Sequence, residues 1–319
     1  MPDLAAALAQ VLSTRASASA RAAAERLRDT YRSGAPPTAL AIADAESAAA
    51  YAAYRMPATA AALSRALDHD LPLTPTTHTD LGGGTGAAAW VVADRWPGVA
   101  STVVDASSEA LALGETIARV GRLDARWERR RLGPNVSFPN ADLTTISYLL
   151  GELDPADAEG VVTGALASSR AVLVVEPGTP RGYAAVLAAR DRLRSAGWHL
   201  VAPCPHALDC PLADGDWCHF SVRVQRSNLH RDLKAAELNY EDEKFSYVLA
   251  TRPGDPPQPP AAPADRVLRH PLTRKGLVQF RVCSPDGAAH DRIVSKRQGE
   301  LYRQARDTRW GDTLPSQRT

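Results

Sequence analysis

The cysteines of this chain are concentrated in one short stretch. The segment 204–220 reads CPHALDCPLADGDWCHF and contains Cys204, Cys210 and Cys218, while the fourth cysteine, Cys283, lies far downstream. Structural zinc sites usually contain ligand pairs about two to four residues apart, whereas five and seven residues separate these three. Two of the cysteines precede proline, as a ligand of bacterial ferredoxin-type clusters does. The spacing therefore favours a [4Fe–4S] cluster, which is larger than a single ion and takes four thiolates.

Two other interpretations of these cysteines remain open. Four thiolates also form tetrahedral zinc sites, and free cysteines are common core residues that need no ligand. His206 and His219 lie in the same stretch, and an imidazole nitrogen can replace a thiolate at a metal. The residues thus predict a metal or cluster site and place iron–sulfur ahead of zinc.

The second stretch that could do chemistry is DLGGGTG, which begins at Asp80. Gly82, Gly84 and Gly86 alternate within it, and glycine lets the backbone turn sharply and lets a ligand approach closely. Asp105 ends the next predicted strand, where an acidic residue can bind ribose hydroxyls. A negative charge before the glycines also suits a cationic ligand better than a pyrophosphate. These five residues are therefore the predicted binding site for S-adenosylmethionine.

The glycine loop alone leaves two alternatives open. It loosely satisfies the dinucleotide fingerprint, with alanine in the third glycine position, so binding of an NAD-type cofactor stays open. A tight strand-to-helix turn without any ligand is the other alternative. The context of the loop, an acidic residue before it and another after the next strand, favours S-adenosylmethionine.

Alternating strands and helices must position both stretches. After a strand that leads into the glycine loop, the sequence predicts strands and helices in turn: strands at 100–107, 125–132, 141–150, 171–178 and 198–203, and helices at 108–120, 154–169 and 179–197. Thr179 can cap the last of these helices, with Pro180 at its first position. Such alternation predicts a mostly parallel sheet with helices on both faces. Two helices, at 3–31 and 38–68, precede this pattern.

Composition limits the class of protein. Hydrophobic residues make up 45% of the chain, enough for a packed core, and the net charge is +1. No stretch approaches the roughly 20 uninterrupted apolar residues of a membrane span, so no membrane partner is expected. The Ala- and Arg-rich N-terminus carries Asp3, Glu25 and Asp29, which is typical of an amphipathic helix and not of a signal or transit peptide. We therefore expect a cytoplasmic monomer without disulfides.

A series of motifs carries a resemblance to a known family. In chain order they are YAAYRMPATAAAL, DLGGGTG, DASSEAL, EPGTPRGY, CPHALDCPL, DWCHFSVRVQRS, YEDEKFSYV and RWGD. With these motifs, from about residue 45 to 312, the chain resembles the methyltransferase-like family of the mitochondrial small ribosomal subunit, in its bacterial branch. Single motifs are unspecific, but the combination and its order are specific.

The resemblance implies an α/β chain with the class I S-adenosylmethionine-dependent methyltransferase (Rossmann-like) fold. The sequence itself divides into four predicted regions: N-terminal helices (1–70), a methyltransferase-like domain with the cysteine-rich insertion (71–253), a proline-rich linker (254–265) and a basic, β-rich C-terminal extension (266–319). The resemblance adds a site for S-adenosylmethionine and an iron–sulfur cluster. By position it assigns the ligands of one [4Fe–4S] cluster to Cys204, Cys210, Cys218 and Cys283. It also implies association with the 16S-type RNA of the small ribosomal subunit during assembly or translation.

Catalytic residues are harder to assign. Enzymes of this fold that methylate amino groups commonly carry Asn/Asp-Pro-Pro-Tyr after the fourth strand, but this chain has SYLLGELD. Tyr148 and Glu152 are the polar candidates there, and neither completes that motif. Two functions therefore remain open: an S-adenosylmethionine-dependent rRNA methyltransferase, and a catalytically inactive RNA-binding assembly factor with a structural zinc or iron–sulfur site.

Positive charge is concentrated towards the C-terminus. The segment from Arg266 to Thr319 holds twelve Lys/Arg and five Asp/Glu, a formal charge of +7. The run RVQRSNLHRDLK adds Arg223, Arg226 and Lys234 as candidate RNA contacts, because basic faces bind phosphates. Four aromatic residues are candidates for stacking on bases: Trp217, Phe220, Tyr302 and Trp310. The alternative is a solvated basic face with aromatic core residues.

Overall fold

The computed structural model describes residues 3–12, 18–33, 42, 44–134, 136–212, 215–234, 237–254 and 264–315. Their strands form one eight-stranded and one five-stranded sheet. No helix within these ranges is both long and apolar enough to cross a bilayer.

The larger sheet contains the predicted βα alternation. Its strands are β1 (Thr77–Leu81), β2 (Ala100–Asp105), β3 (Ala125–Arg129), β4 (Ala141–Ser147), β5 (Ser169–Pro177), β6 (His199–Ala202), β7 (Phe220–Gln225) and β8 (Tyr240–Thr251). They are ordered β3-β2-β1-β4-β5-β8-β6, with β7 also beside β8. Strands β1 to β5 are parallel to one another. Strand β8 is antiparallel to β5, β6 and β7. This is a class I methyltransferase-like arrangement, and its strand order reverses between β1 and β4, where ligands of open α/β sheets bind.

Helices cover both faces of this sheet, as the sequence predicts. The four that follow β1, β2, β4 and β5 are α4 (Ala87–Arg95), α5 (Ser108–Val120), α6 (Pro155–Ser168) and α7 (Pro180–Ser195). Strand β5 is buried on both faces, as its continuous apolar run requires. Its Leu173 and Val175 pack in the cluster with α4 and α5, whereas Val172 and Val174 pack in the cluster with α6 and α7. The Thr179 side chain caps α7, with Pro180 in its first turn, as predicted.

Three helices precede the sheet. They are α1 (Leu4–Val11), α2 (Ala18–Ser33) and α3 (Ala45–Ala66). The predicted helix at 3–31 is therefore interrupted: α1 ends at Val11, and residues 13–17 lie outside the described residues. Helix α3 contacts α4, α5, β7 and β8, so it lies along one face of the sheet. A short helix, α8 (Asn228–Lys234), packs against α2 and α3.

The smaller sheet is built from the C-terminal part of the chain. It contains β9 (Ala264–Val267), β10 (Leu272–Arg274), β11 (Leu277–Cys283), β12 (Ala289–Ser295) and β13 (Thr313–Pro315), with helix α9 (Glu300–Asp307) before the last strand. Its core contains Val278, Phe280 and Val294, with Ala305 from α9. Most of the predicted linker, residues 255–263, lies outside the described residues.

Candidate cofactor and metal sites

The carboxyl ends of β1 and β2 bring the glycine loop and the two predicted aspartates together. Gly82, Gly84 and Gly86 all have positive φ angles, of +68°, +54° and +83°, which glycine adopts without a steric penalty. Asp105 accepts hydrogen bonds from the amides of Gly84 and Ser107, each at 2.8 Å. The loop and the end of β2 therefore hold each other in a fixed geometry at the edge of the crevice.

Asp80 is completely buried at the end of β1. Its Oδ1 accepts a hydrogen bond from the Thr145 hydroxyl at 2.8 Å, and its Oδ2 makes none within the described residues. Burial, together with the nearby charge of Asp105, raises the pKa of Asp80 to about 7. A carboxyl of this kind is ready to accept a cationic or hydrogen-bonding ligand group, which would favour its ionised form.

A buried histidine that sequence reasoning missed supports Asp80. His78 Nε2 lies 2.9 Å from the Thr145 hydroxyl, and His78 Nδ1 lies 3.1 Å from the Ser101 hydroxyl. Burial lowers the pKa of His78 to about 3, so the ring is neutral. Because Thr145 donates to Asp80, the consistent arrangement has Nε2 donating to Thr145 and Nδ1 accepting from Ser101. The alternation of THTDL was the only sequence signal for this network.

A cluster of polar side chains lies at the end of β4, the strand beside β1. Tyr148 directly follows β4 and has a φ of +55°, a strained conformation for this residue type. Its hydroxyl donates to Glu243 at 2.8 Å. Arg55 of α3 forms two hydrogen bonds of 3.2 Å with Glu243 and lies over the Tyr148 ring, 5.0 Å from its centroid. Burial, followed by the charge of Glu243, raises the pKa of Tyr148, so this residue is a hydrogen-bond donor and not a base.

Glu152, the other catalytic candidate, lies in a 3₁₀ turn at Leu150–Glu152. A second carboxyl nearby was not predicted. Glu176, at the end of β5, is buried and accepts from the amides of Leu149 and Leu150 at 3.0 and 2.8 Å. Burial raises its pKa to about 8. An acidic residue after the apolar run VLVV was the sequence signal for it. Its hydrogen bonds show that it fixes the turn that follows β4.

All four cysteines line one cavity. Cys204 follows β6, Cys210 lies in the next loop, Cys218 precedes β7, and Cys283 ends β11. The cavity is small, with a volume of about 40 Å³. None of the cysteines is in a disulfide. The fold therefore brings together the four predicted ligands from separate segments, one of which belongs to the smaller sheet.

Three of the four sulfurs have a polar neighbour. Arg190 Nε donates to Cys204 Sγ at 3.3 Å, and the Tyr183 hydroxyl lies 3.0 Å from Cys210 Sγ. His206 Nε2 lies 3.3 Å from Cys283 Sγ. His206 is thus a neighbour of a thiol. His219, by contrast, stacks on Trp217. His206 lines the cavity together with the four cysteines, whereas His219 is not among the lining residues.

Two buried arginines also line the cysteine cavity. Arg190 is 3% exposed and Arg266 is 7% exposed. Arg190 has one carboxylate partner, the half-exposed Asp191, and Arg266 donates to the carbonyls of Pro203 and Gly311. Burial raises the pKa of the Cys283 thiol to about 12 and also raises that of Cys204. Buried cations beside neutral thiols are costly, so the cavity fits a negatively charged occupant.

Within the described residues, no three His, Cys, Asp or Glu side chains converge closely enough to hold a single metal ion. The four thiols all line the one cavity and belong to four separate segments of the chain.

The three candidate RNA contacts near α8 are paired with acidic residues of β8. Arg223 Nε lies 2.8 Å from Asp242. Arg226 and Lys234 lie 2.9 and 2.7 Å from the same carboxylate oxygen of Glu241. Each of the three cations thus already has a carboxylate partner within the fold, and their contact with RNA stays a prediction.

The aromatic candidates for base stacking are mostly internal. Phe220 and Trp310 are buried, Tyr302 packs against the core of the smaller sheet, and the Trp217 indole donates to the Gly178 carbonyl at 3.0 Å. Phe220 and Trp310 are therefore core residues, and stacking on bases was the wrong interpretation for them. Phe220 and Trp310 both pack in the core cluster of the larger sheet.

Comparison with known proteins identifies the family. The family described as Mitochondrial small ribosomal subunit Rsm22 matches residues 45–315. The human Ribosome assembly protein METTL17, mitochondrial, is 31% identical over 293 residues, covering 83% of this chain and 62% of the human protein. Two Schizosaccharomyces pombe Rsm22-cox11 tandem proteins, both mitochondrial, are 27% identical over 188 residues, covering 45% of this chain and 24% of each. The chain thus spans less than two thirds of the length of these relatives.

Solved structures with low sequence identity also match. An O-methyltransferase family protein from Burkholderia thailandensis has a TM-score of 0.44 at 15% identity, covering 72% of this chain and 68% of that one. TehB from Haemophilus influenzae has a TM-score of 0.38 at 13% identity, covering 56% and 58%. On the sequence match over residues 45–315, this chain belongs to the Rsm22 family of the mitochondrial small ribosomal subunit.

Proposed function

We propose that this chain is a methyltransferase-like ribosome assembly factor of the cytoplasm that binds S-adenosylmethionine, carries one [4Fe–4S] cluster and docks on the 16S-type RNA of the small subunit. Family membership and the human relative's role as a ribosome assembly protein support the association with ribosomes. The observation that carries the proposal is the convergence of four distant cysteines on one cavity beside two buried arginines.

The crevice residues fit S-adenosylmethionine. Asp80, whose buried Oδ2 makes no hydrogen bond within the described residues, would balance positive charge on the methionine part of the cofactor. Asp105 would hold the ribose hydroxyls, as an acidic residue does at the end of the second strand. The positive φ at Gly84 leaves an open approach to the loop backbone, with only Asp105 near a Cβ placed there. When bound, the cofactor supplies an activated methyl group.

The cysteine cavity fits a thiolate-ligated cluster. Four thiolates around a [4Fe–4S]²⁺ core carry a net charge of about −2, which the guanidinium groups of Arg190 and Arg266 would balance. Arg190 and Tyr183 would hydrogen-bond ligand sulfurs, which tunes and stabilises such clusters. When bound, the cluster supplies a rigid cross-link and one-electron redox chemistry. Ligation by Cys283 would couple the smaller sheet to the larger one, because ligation energy contributes to folding.

A docking role without methyl transfer is the second candidate, and one observation favours it. Arg55, Tyr148 and Glu243 contact one another at the end of β4, so a base that approached the proposed cofactor site past β4 would have to displace them. The Tyr148 hydroxyl donates a hydrogen bond to Glu243, so it is unsuited to accept a proton.

Mass spectrometry of small-subunit RNA separates the two candidates. It would compare a wild-type strain, a deletion strain and a strain carrying Gly84→Ala, together with the sedimentation profile of their small subunits. An enzyme predicts one methyl group missing in both mutant strains. A docking factor predicts complete methylation in all three strains with immature small subunits in the deletion strain. Normal RNA and normal subunits in the deletion strain would refute the proposed function.

A further inference from the structure

We propose that the outer face of the smaller sheet, formed by β10, β11 and β12, is a contact surface for single-stranded RNA. This inference rests on the proposed association with small-subunit RNA and names the surface that makes the contact. It assigns that role to residues other than the basic run beside α8.

Strand register places two exposed apolar side chains in one row. Leu272 of β10 is opposite Gln279 of β11, which is opposite Ile293 of β12. Residues directly opposite one another in a sheet point to the same face. Leu272 and Ile293 are each 56% exposed. The described part of the chain has five exposed large apolar residues, and two of them flank Gln279 in this row.

The opposite face of the same strands is the core. Val278 and Phe280 alternate with the outer-face residues of β11 and are fully or almost fully buried. Helix α9 packs on this inner face through Ala305. The apolar core contacts of these strands are therefore made by their inner-face residues. Leu272 and Ile293 lie on the other face, so core packing does not explain why they are apolar.

Four cations are grouped at one end of the outer face. Arg274 ends β10 and Lys275 lies in the turn that follows it, whereas Lys296 and Arg297 lie in the turn after β12; all four are exposed. The Lys296 amide donates to the Gly276 carbonyl at 2.8 Å, which brings the two turns together. None of the four forms an ion pair with an acidic residue in the ranges that the structure describes. This end of the face is therefore a concentrated positive charge.

The basic run at α8 has the opposite character. Arg223, Arg226 and Lys234 all pair with Asp242 or Glu241. A cation that already has a carboxylate partner must give it up to bind a phosphate, whereas the four cations of the smaller sheet have none to give up. The smaller sheet is thus the better phosphate-binding surface.

The combination of charge and apolar surface fits single-stranded RNA. Cations bind the phosphates, and unpaired bases offer flat apolar faces that pack on exposed side chains of a sheet. A duplex keeps its bases stacked inside and would use the cations alone. The charge complementarity favours RNA over a protein partner.

The test uses the full chain, purified anaerobically, and a short mixed-sequence single-stranded RNA beside its duplex. Lys275→Glu with Lys296→Glu reverses two cations of the face. Arg303→Glu with Arg306→Glu reverses two exposed cations of α9 and gives the same net charge, but on the helix that covers the inner face. Affinity is measured across a salt series for each protein.

We expect the first pair of changes to lower affinity for the single strand at least about tenfold and to flatten the salt slope by about 1.4, because each lost phosphate contact removes about 0.7. The α9 pair should keep most of the affinity. Leu272→Ser with Ile293→Ser should weaken binding of the single strand more than binding of the duplex, with an unchanged salt slope.

Three results would overturn the inference. Equal losses in the two charge-reversed proteins would show a general charge effect. Unchanged RNA affinity in every variant, with loss of binding to small subunits, would point to a ribosomal protein as the partner of this face, and the proposed function would stand. No RNA binding by the parent chain would overturn both this inference and the proposed docking on RNA.

Discussion

Gly84→Ala tests the proposed cofactor crevice with little effect on the fold. The φ of +54° at Gly84 lies in the left-handed region, which costs a residue with a Cβ about 1–2 kcal/mol. An added Cβ would meet only Asp105 Oδ2, at 3.9 Å, so the variant should fold. The methyl group would stand on the backbone that the cofactor must approach, beside the carboxylate proposed to hold its ribose. We expect about 1–2 kcal/mol of lost stability and at least about tenfold weaker binding of S-adenosylmethionine.

Gly98 provides the matched control. Its φ is +88°, and a Cβ placed there would have nothing within 4 Å. Gly98→Ala therefore carries the same backbone penalty, in the loop between α4 and β2 and away from the crevice. Calorimetry with S-adenosylmethionine and thermal unfolding should be measured for the parent and both variants. Both melting temperatures should fall by a few degrees, at about 2–4 °C per kcal/mol, and only Gly84→Ala should lose affinity.

Two results would refute this reasoning. If Gly84→Ala binds S-adenosylmethionine as tightly as Gly98→Ala does, the loop backbone does not form the binding surface. If the parent chain binds NAD in place of S-adenosylmethionine, the acidic residues have been assigned to the wrong cofactor.

Three further predictions concern the charged and thiol groups. Because burial raises the pKa of Asp80 to about 7, its ionised fraction falls as the pH drops through 7; affinity for the cationic cofactor should fall below that pH, and Asp80→Asn should abolish the dependence. Because this pKa is raised, the folded state holds the Asp80 proton more tightly than the unfolded state does. The unliganded protein should therefore lose stability as the pH rises from 3.8 towards 7. Urea unfolding should show this loss in the parent and not in Asp80→Asn. Arg190→Gln should lower the iron content and speed loss of the cluster in air, whereas Arg192→Gln, on the exposed side of the same helix, should not; equal iron in both would exclude a role for the buried cation. Cys283→Ser should make the smaller sheet cleave faster in limited proteolysis while the larger sheet resists, and uniform resistance would mean that Cys283 does not tie the sheets together.

The larger sheet could be predicted because its signals are local. The run AVLVV predicts a strand, and β5 is that strand, buried on both faces. The alternation of such runs with capped helices predicts the parallel order. DLGGGTG predicts the turn at which β1 meets α4, and the positive φ angles of its glycines agree.

The partners of charged side chains could not be predicted in the same way. The pairing of Arg223 with Asp242 depends on the register of β7 against β8, which the sequence of either strand leaves undefined. Arg55 and Glu243 are 188 positions apart and meet only because α3 lies along the sheet. Basic residues therefore predicted an RNA contact where the fold had already supplied acidic partners.

The joint measurement of iron, zinc and acid-labile sulfide in the anaerobically purified chain tests the central claim most directly, because the proposal depends on what the four cysteines hold. If one [4Fe–4S] cluster is held by Cys204, Cys210, Cys218 and Cys283, the chain should contain iron and sulfide in equal amounts, about four of each. Cys283→Ser should lose both. One zinc per chain without sulfide, or no metal in a chain that remains folded, would contradict it.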